Sequence, residues 1–132
     1  YTIANANELN QTSQTMLSKV DAVIVPSDNT IAGSMGVLVK NADAVNKPVF
    51  PSADTMVKDG GVASISLSQY GQGKEAGKMA ARILKGEKPG QMAVNNYHHG
   101  EPVLNLKQAR KLGIKVPADF QREAEQHGTV FK

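Results

Sequence analysis

The sequence predicts an α/β protein with a doubly wound, mostly parallel sheet. Two short apolar runs, residues 23–25 and 49–50, each end in a polar turn that leads into residues with helical periodicity. Strand and helix patterns go on alternating with short connections, without an internal repeat or a low-complexity segment. Such alternation is typical of parallel sheets, because parallel strands need a crossover that is usually a helix.

The first half of the chain contains most of this alternation. A capping box from Asn5 to Glu8 and apolar residues three or four positions apart predict the first helix. Lys47 and Pro48 predict the end of the second helix. The predicted elements are a strand at residues 1–4, a helix from 5 to 20, a strand at 21–25, a helix to 45, a strand at 49–50, a short segment at 56–58 and a turn at 59–61.

The second half begins with alternating residues that predict a strand at 62–67. A helix at 69–85 follows, with Gly86 and Pro89 as its stop signals. Each glycine in or near the first turns of this helix should weaken it by about 1 kcal/mol relative to alanine. We therefore expect that another backbone segment packs closely against the helix there and requires residues without a side chain. The residues predicted to be buried on this helix are Tyr70, Gly73, Gly77, Ala80, Ala81 and Leu84. The remaining predictions are a short strand at 92–94, a final strand at 102–106, a helix at 107–112 and a partly helical surface tail from 117 to 132.

Composition narrows the function classes. The 132 residues suit one domain with a sizeable core, and no apolar stretch is long enough to span a membrane. The absence of cysteine excludes disulfides and thiol chemistry but leaves the compartment open. The net charge of +3 comes from interleaved acids and bases, and aromatic residues are only 5%, which argues against nucleic-acid binding. The chain starts at Tyr1 rather than Met, so we expect a processed or truncated product.

Polar residues at the ends of two predicted strands are the candidate site. Ser27, Asp28, Asn29 and Thr30 follow the strand at 21–25, and the turn with Ser52 and Asp54 follows the strand at 49–50. Open α/β sheets bind ligands at this position, where hydroxyl, carboxylate and amide groups suit a small zwitterion. The alternative is that these residues only cap helices, because Ser, Asp and Asn are common N-caps.

Other chemistry finds little support in the sequence. The adjacent His98 and His99 have no further ligand residue at metal-binding spacing nearby and predict solvated loop residues. Phosphate-loop, nucleophile-elbow and dinucleotide-binding patterns are absent, and no nucleophile and base are paired. We therefore expect no cofactor, no metal and no enzymatic activity.

Several segments together resemble one family. They are VDAVIVPSDNT from residue 20, KPVF from 47, MVKDG from 56, YGQG from 70, GKMAARILKG from 77, NLK from 105 and KLGI from 111. From about residue 1 to 117 they resemble, in order, the C-terminal part of the substrate-binding proteins of ATP-binding-cassette importers. The most similar branch contains tryptophan-type aromatic amino-acid binders.

The resemblance implies a type I periplasmic-binding-protein-like fold of two lobes, about twice this length, with the ligand between the lobes. Residues 1–66 would form the C-terminal lobe, 67–117 a helix and strand belonging to the N-terminal lobe, and 118–132 a tail. The implied partners are a small ligand, the missing N-terminal lobe and a membrane permease with its ATPase. The implied location is extracytoplasmic, either periplasmic or as a cell-surface lipoprotein, and a second copy could cover the exposed lobe face.

The resemblance also supports roles for the polar turns. Asp28 or Asp54 would pair with a ligand ammonium group, and Asn29 and Thr30 would receive a carboxylate. Tyr70 would line or stack on an apolar ligand side chain, and packing in the core is its alternative role. The expected ligand is an amino acid, preferably aromatic. Ala53 departs from the acidic pattern of this turn, which leaves the ammonium partner open.

Besides a transporter binding protein, the sequence is compatible with two other functions. The effector-sensing domain of a LacI-type transcriptional repressor shares this lobe architecture, and a helix-turn-helix would then precede the chain. An α/β enzyme domain with its catalytic residues elsewhere is the third possibility, and no residue here supports it positively.

Overall fold

The computed structural model describes residues 1–96 and 99–132. Its helices are Ala6–Leu17 (α1), Asn29–Ala32 (α2), Met35–Ala44 (α3), Asp54–Lys58 (α4), Gln69–Leu84 (α5), Leu106–Lys111 (α6) and Ala118–His127 (α7), with a 3-10 turn at Pro89–Gln91. Its strands are Val23–Val25 (β1), Val49–Pro51 (β2), Ala63–Leu67 (β3), Gly100–Asn105 (β4) and Thr129–Phe131 (β5). The alternation of helices with mostly parallel strands confirms the predicted α/β class.

The main core lies between the first sheet and the helices α1 and α3. Strands β1 and β2 pair in parallel, with Val23 opposite Val49. Helix α1 begins with the predicted capping box: the Asn5 side chain accepts the Asn7 N–H, and the Glu8 carboxylate accepts the Ala4 N–H, both at 3.0 Å. The buried residues of this core are Leu9, Leu17, Val23, Val25, Met35, Leu38, Ala42, Val49 and Met56.

The second sheet has the order β3-β4-β5. Strand β4 pairs antiparallel with β3 and parallel with β5. A hydrogen bond of 2.8 Å from the Val62 N–H to the Val49 carbonyl connects the start of this sheet to β2. Strand β3 therefore runs beside β2 and extends past its carboxyl end.

Helix α6 connects the two halves of the molecule. Asn105 caps its start, accepting the Gln108 N–H at 2.9 Å, and also donates to the Val57 carbonyl at 2.9 Å. From α6, the Gln108 amide and the Lys111 ammonium group reach the two carboxylate oxygens of Asp43 on α3, at 2.6 and 2.5 Å. Three contacts thus hold β4 and α6 against the part of the chain that contains the first sheet.

Helix α5 has no buried residue. Tyr70 and Leu84 are 83% and 89% exposed, and a Cβ placed on Gly73 or Gly77 would meet no atom within 4 Å. The predicted burial of its apolar residues and the predicted close neighbour of its glycines are therefore wrong for this chain. Near the end of the helix, the Arg82 guanidinium donates to both carboxylate oxygens of Glu87, and this hydrogen bonding lowers the pKa of that carboxyl. The apolar side chains near the two ends of α5, Tyr70 and Leu84, therefore lie open to solvent.

Four further predictions need correction. Residues 1–4 and 92–94 are not strands, because neither segment has a hydrogen-bonded partner strand among the described residues. The predicted second helix is divided into α2 and α3 at Gly33 and Ser34. The strand predicted at 102–106 is not the last one, since residues 118–132 form α7 and β5.

The remaining turns agree with the sequence. Gly60, Gly86 and Gly113 have positive φ angles of 121°, 101° and 67°, as expected for turns and helix ends. Of the adjacent histidines, His98 lies outside the described residues.

Candidate functional site

The two polar turns predicted from the sequence lie side by side. Because β1 and β2 are parallel, their carboxyl ends meet at the same edge of the sheet. The Ser27 and Ser52 hydroxyl oxygens are 3.0 Å apart, and the Ser52 N–H donates to the Val25 carbonyl at 2.9 Å. Residues 25 positions apart in the chain therefore form one polar edge.

Asp28 has the capping role that was the alternative reading. Its carboxylate accepts the Ile31 N–H at 2.8 Å and caps α2. Asn29 and Thr30 are the first residues of this single helical turn, and their side chains are exposed.

Asp54 starts α4 and touches β3. Its N–H donates to the Ser66 hydroxyl at 3.2 Å, and its carboxylate accepts the Thr55 N–H at 2.8 Å. Ser66 is only 6% exposed, so this contact fixes the turn after β2 against the far end of β3.

Asp54 and Tyr70 line one cleft of about 160 Å³ at this edge. The remaining lining residues come from the ends of three strands and the start of α5; they are Ser66, Leu67, Ser68, Gln69, Glu101, Val103 and Thr129. The lining carries two carboxylates and no lysine or arginine. Its charge therefore suits a ligand group that is positive, and the Tyr70 ring provides an apolar surface.

Asp28 does not line this cleft but a separate groove. A groove of about 250 Å³ runs beside the free edge of β1, and Asp28 lies at its polar end. Most of the groove is apolar, with Ile3, Met16 and Ile24 among its lining residues. The structure thus pairs Ser27 with Ser52 and Asp54 with Tyr70, but it separates Asp28 from Asp54.

Sequence reasoning missed Ser66, Glu101 and Thr129. Ser66 lies directly opposite Glu101 in the antiparallel pair, and Thr129 lies opposite Val103 on the next strand. The alternating pattern at 62–67 predicted which residues of β3 share a face. It could not identify the partner strand, which begins more than thirty residues later. Only the strand pairing brings these residues to the cleft.

No group of three His, Cys, Asp or Glu residues within residues 1–96 and 99–132 has the arrangement of a metal site. Within the same ranges, no helix has the length and hydrophobicity that a membrane span requires.

Comparison with known proteins identifies the family of this chain. The family model for ABC transporter substrate binding proteins matches residues 1–128. The chain belongs to this family. The predicted resemblance is confirmed, and the family is one of binding proteins rather than enzymes.

Relatives of the substrate-binding family add detail. A tyrosine-binding protein of Clostridioides difficile is 29% identical over 118 residues, which cover 89% of this chain and 34% of that protein. A crystal structure of an ABC domain in complex with L-Trp, from Streptococcus pneumonia, has a TM-score of 0.89 at 40% identity and matches 99% of this chain and 43% of that one. A ligand-free, open substrate-binding protein with adhesive properties from Clostridium difficile has a TM-score of 0.73 at 28% identity, over 98% of this chain and 42% of that one.

The chain therefore spans less than half the length of these relatives.

Proposed function

We propose that this chain is the C-terminal part of an extracytoplasmic binding protein that captures an amino acid between two lobes. The observation that carries the proposal is the joining of two strand-end turns at Ser27 and Ser52, with Asp54, two residues after Ser52, lining one cleft together with Tyr70. Polar groups that fix the two ends of a ligand, next to a surface for its side chain, are what a zwitterionic ligand needs.

The proposed ligand is an aromatic amino acid. The relatives named for tyrosine binding and crystallised with L-Trp support this choice, as does the exposed ring of Tyr70. In this proposal Tyr70 contacts the ligand ring, and Ser27, Ser52, Asn29 and Thr30 donate to the carboxylate. Asp28 and Asp54 are the acids that the sequence offered for the ammonium group, and each already accepts a backbone N–H.

Ligand capture in this proposal requires the missing N-terminal lobe. Helix α5 is proposed to pack on that lobe, which would bury Tyr70 and Leu84 and explain the small residues Gly73 and Gly77. A second copy of the chain on the same face is the competing occupant. Closure of the lobes excludes water and strengthens the polar contacts.

The division into residues 1–66, 67–117 and 118–132 stays part of the proposal. Within the middle segment, α5 has no buried residue, whereas α6 is tied to α3 through Asp43. We also propose, following the family, that the protein delivers its ligand to a membrane permease with its ATPase. Its proposed location is the periplasm or, as a lipoprotein, the cell surface.

The repressor alternative is not favoured, because the family match is to transporter binding proteins.

The test is a calorimetric binding screen of the twenty amino acids, nucleosides and sugars against the full-length protein. We expect selective binding of tryptophan, tyrosine or phenylalanine. Tyr70→Ala should weaken that binding by about 1 kcal/mol, roughly fivefold, because aromatic contacts contribute about this much beyond the area they bury. Tyr70→Phe is the matched control and should bind nearly as the wild type does. Binding of sugars or nucleosides alone would contradict the proposed ligand.

A further inference from the structure

Three carboxylates are candidates for the partner of the ligand ammonium group: Asp28, Asp54 and Glu101. Asp28 caps α2 through the Ile31 N–H, and Asp54 holds the Thr55 N–H at the start of α4. Each of these two carboxylates therefore already stabilises the start of a helix by accepting a backbone N–H. The Glu101 carboxylate, by contrast, makes no hydrogen bond or ion pair with another described residue.

Glu101 is also placed by rigid structure. It lies near the start of β4, directly opposite Ser66 on β3, and both residues line the cleft that contains Tyr70. Ser66 is held in turn by the Asp54 N–H. A carboxylate on a paired strand keeps its position better than one on a loop, and this one faces a cleft without a competing lysine or arginine.

We propose that Glu101 binds the ammonium group of the amino-acid ligand, whereas Asp28 and Asp54 serve the helix starts. This inference rests on the proposed function and names the group that selects an amino acid over its deaminated analogue. An ammonium group has three donors, and the two oxygens of the Glu101 carboxylate supply acceptors for them. The ligand ring then extends toward Tyr70.

The test measures two ligands on each variant of the full-length protein. The ligands are L-tryptophan and indole-3-propionate, which share the ring and the carboxylate but differ in the ammonium group. Direct calorimetry gives the Kd of L-tryptophan, and competition against it gives that of the weaker analogue. The L-tyrosine pair, with 3-(4-hydroxyphenyl)propionate, replaces them if the wild type prefers tyrosine.

Glu101→Gln should raise the Kd of the amino acid at least tenfold and leave the Kd of the deaminated analogue within twofold of the wild-type value. Glu101→Asp keeps the charge and should lose less. Glu123→Gln, an exposed acid on α7, is the control for the loss of one negative charge and should change neither Kd.

An unchanged Kd for the amino acid in Glu101→Gln would overturn the inference, and so would an equal loss for both ligands, which would indicate a structural role. A wild-type protein that binds no amino acid would overturn the proposed function as well. That outcome is recognised from the wild-type titration alone, before any variant is measured.

Discussion

Replacing Asn105 by Ala should be one of the most damaging polar substitutions in the chain. Asn105 is 7% exposed and makes two side-chain hydrogen bonds of 2.9 Å, one from the Gln108 N–H and one to the Val57 carbonyl. The first caps α6, and the second ties the end of β4 to the end of α4. Both are lost in the alanine variant, and the side chain leaves a small cavity.

The magnitude follows from these two contacts. Loss of an N-cap costs about 1 kcal/mol. Loss of a buried hydrogen bond costs about 1–3 kcal/mol, with the lower end expected here because the Val57 carbonyl also accepts the Gly60 N–H at 3.2 Å. The free energy of unfolding should therefore fall by about 2–3 kcal/mol.

The assay is urea unfolding of the chain, followed by far-UV circular dichroism because the chain has no tryptophan. With a slope of about 1.5 kcal/mol per molar urea, the midpoint should fall by about 1.3–2 M. Asn105→Ser keeps a capping oxygen and should recover about 1 kcal/mol.

The matched control is Asn5→Ala, which removes the exposed cap of α1 and should cost only about 0.5–1 kcal/mol. Equal losses at positions 5 and 105 would refute the reasoning, because they would show that the bond to Val57 contributes nothing.

Two further predictions concern glycines. Gly128→Ala should lower the free energy of unfolding by about 2 kcal/mol or more, because its Cβ would lie 1.9 Å from the backbone oxygen of Pro102; Gly90→Ala, with no atom within 4 Å, is the control, and equal urea midpoints would contradict the prediction. Gly77→Ala should raise the helix content of the isolated chain, stabilising α5 by about 1 kcal/mol, but should lower the melting temperature of the full-length protein if the N-terminal lobe packs on this face. A rise in both proteins would show that the lobe does not cover Gly77.

Several parts of this molecule could be predicted because their causes are local. The capping box at Asn5 and Glu8, the helix ends at Gly86 and Gly113, and the strands at Val23 and Val49 depend on neighbouring residues and on short-range periodicity. The strand-end position of Ser27 and Ser52 follows from the same patterns, since parallel strands bring their carboxyl ends together.

Other predictions failed because their causes are distant. An extended segment becomes a strand only when a partner accepts its backbone hydrogen bonds, and residues 1–4 and 92–94 have none in the described structure. The amphipathic pattern of α5 correctly gave a helix, but it did not show whether this chain covers the apolar side.

The sequence by itself determined the α/β class, the order of most helices and strands and the polar strand ends, because these depend on side chains a few positions apart. Only the tertiary structure decided that Ser27 meets Ser52, that Asp28 and Asp54 line different cavities, and that Glu101 and Tyr70 line the same cleft. The pairing of β3 with β4 spans more than thirty intervening residues, and hydrogen bonds across that separation leave no periodic trace in the sequence.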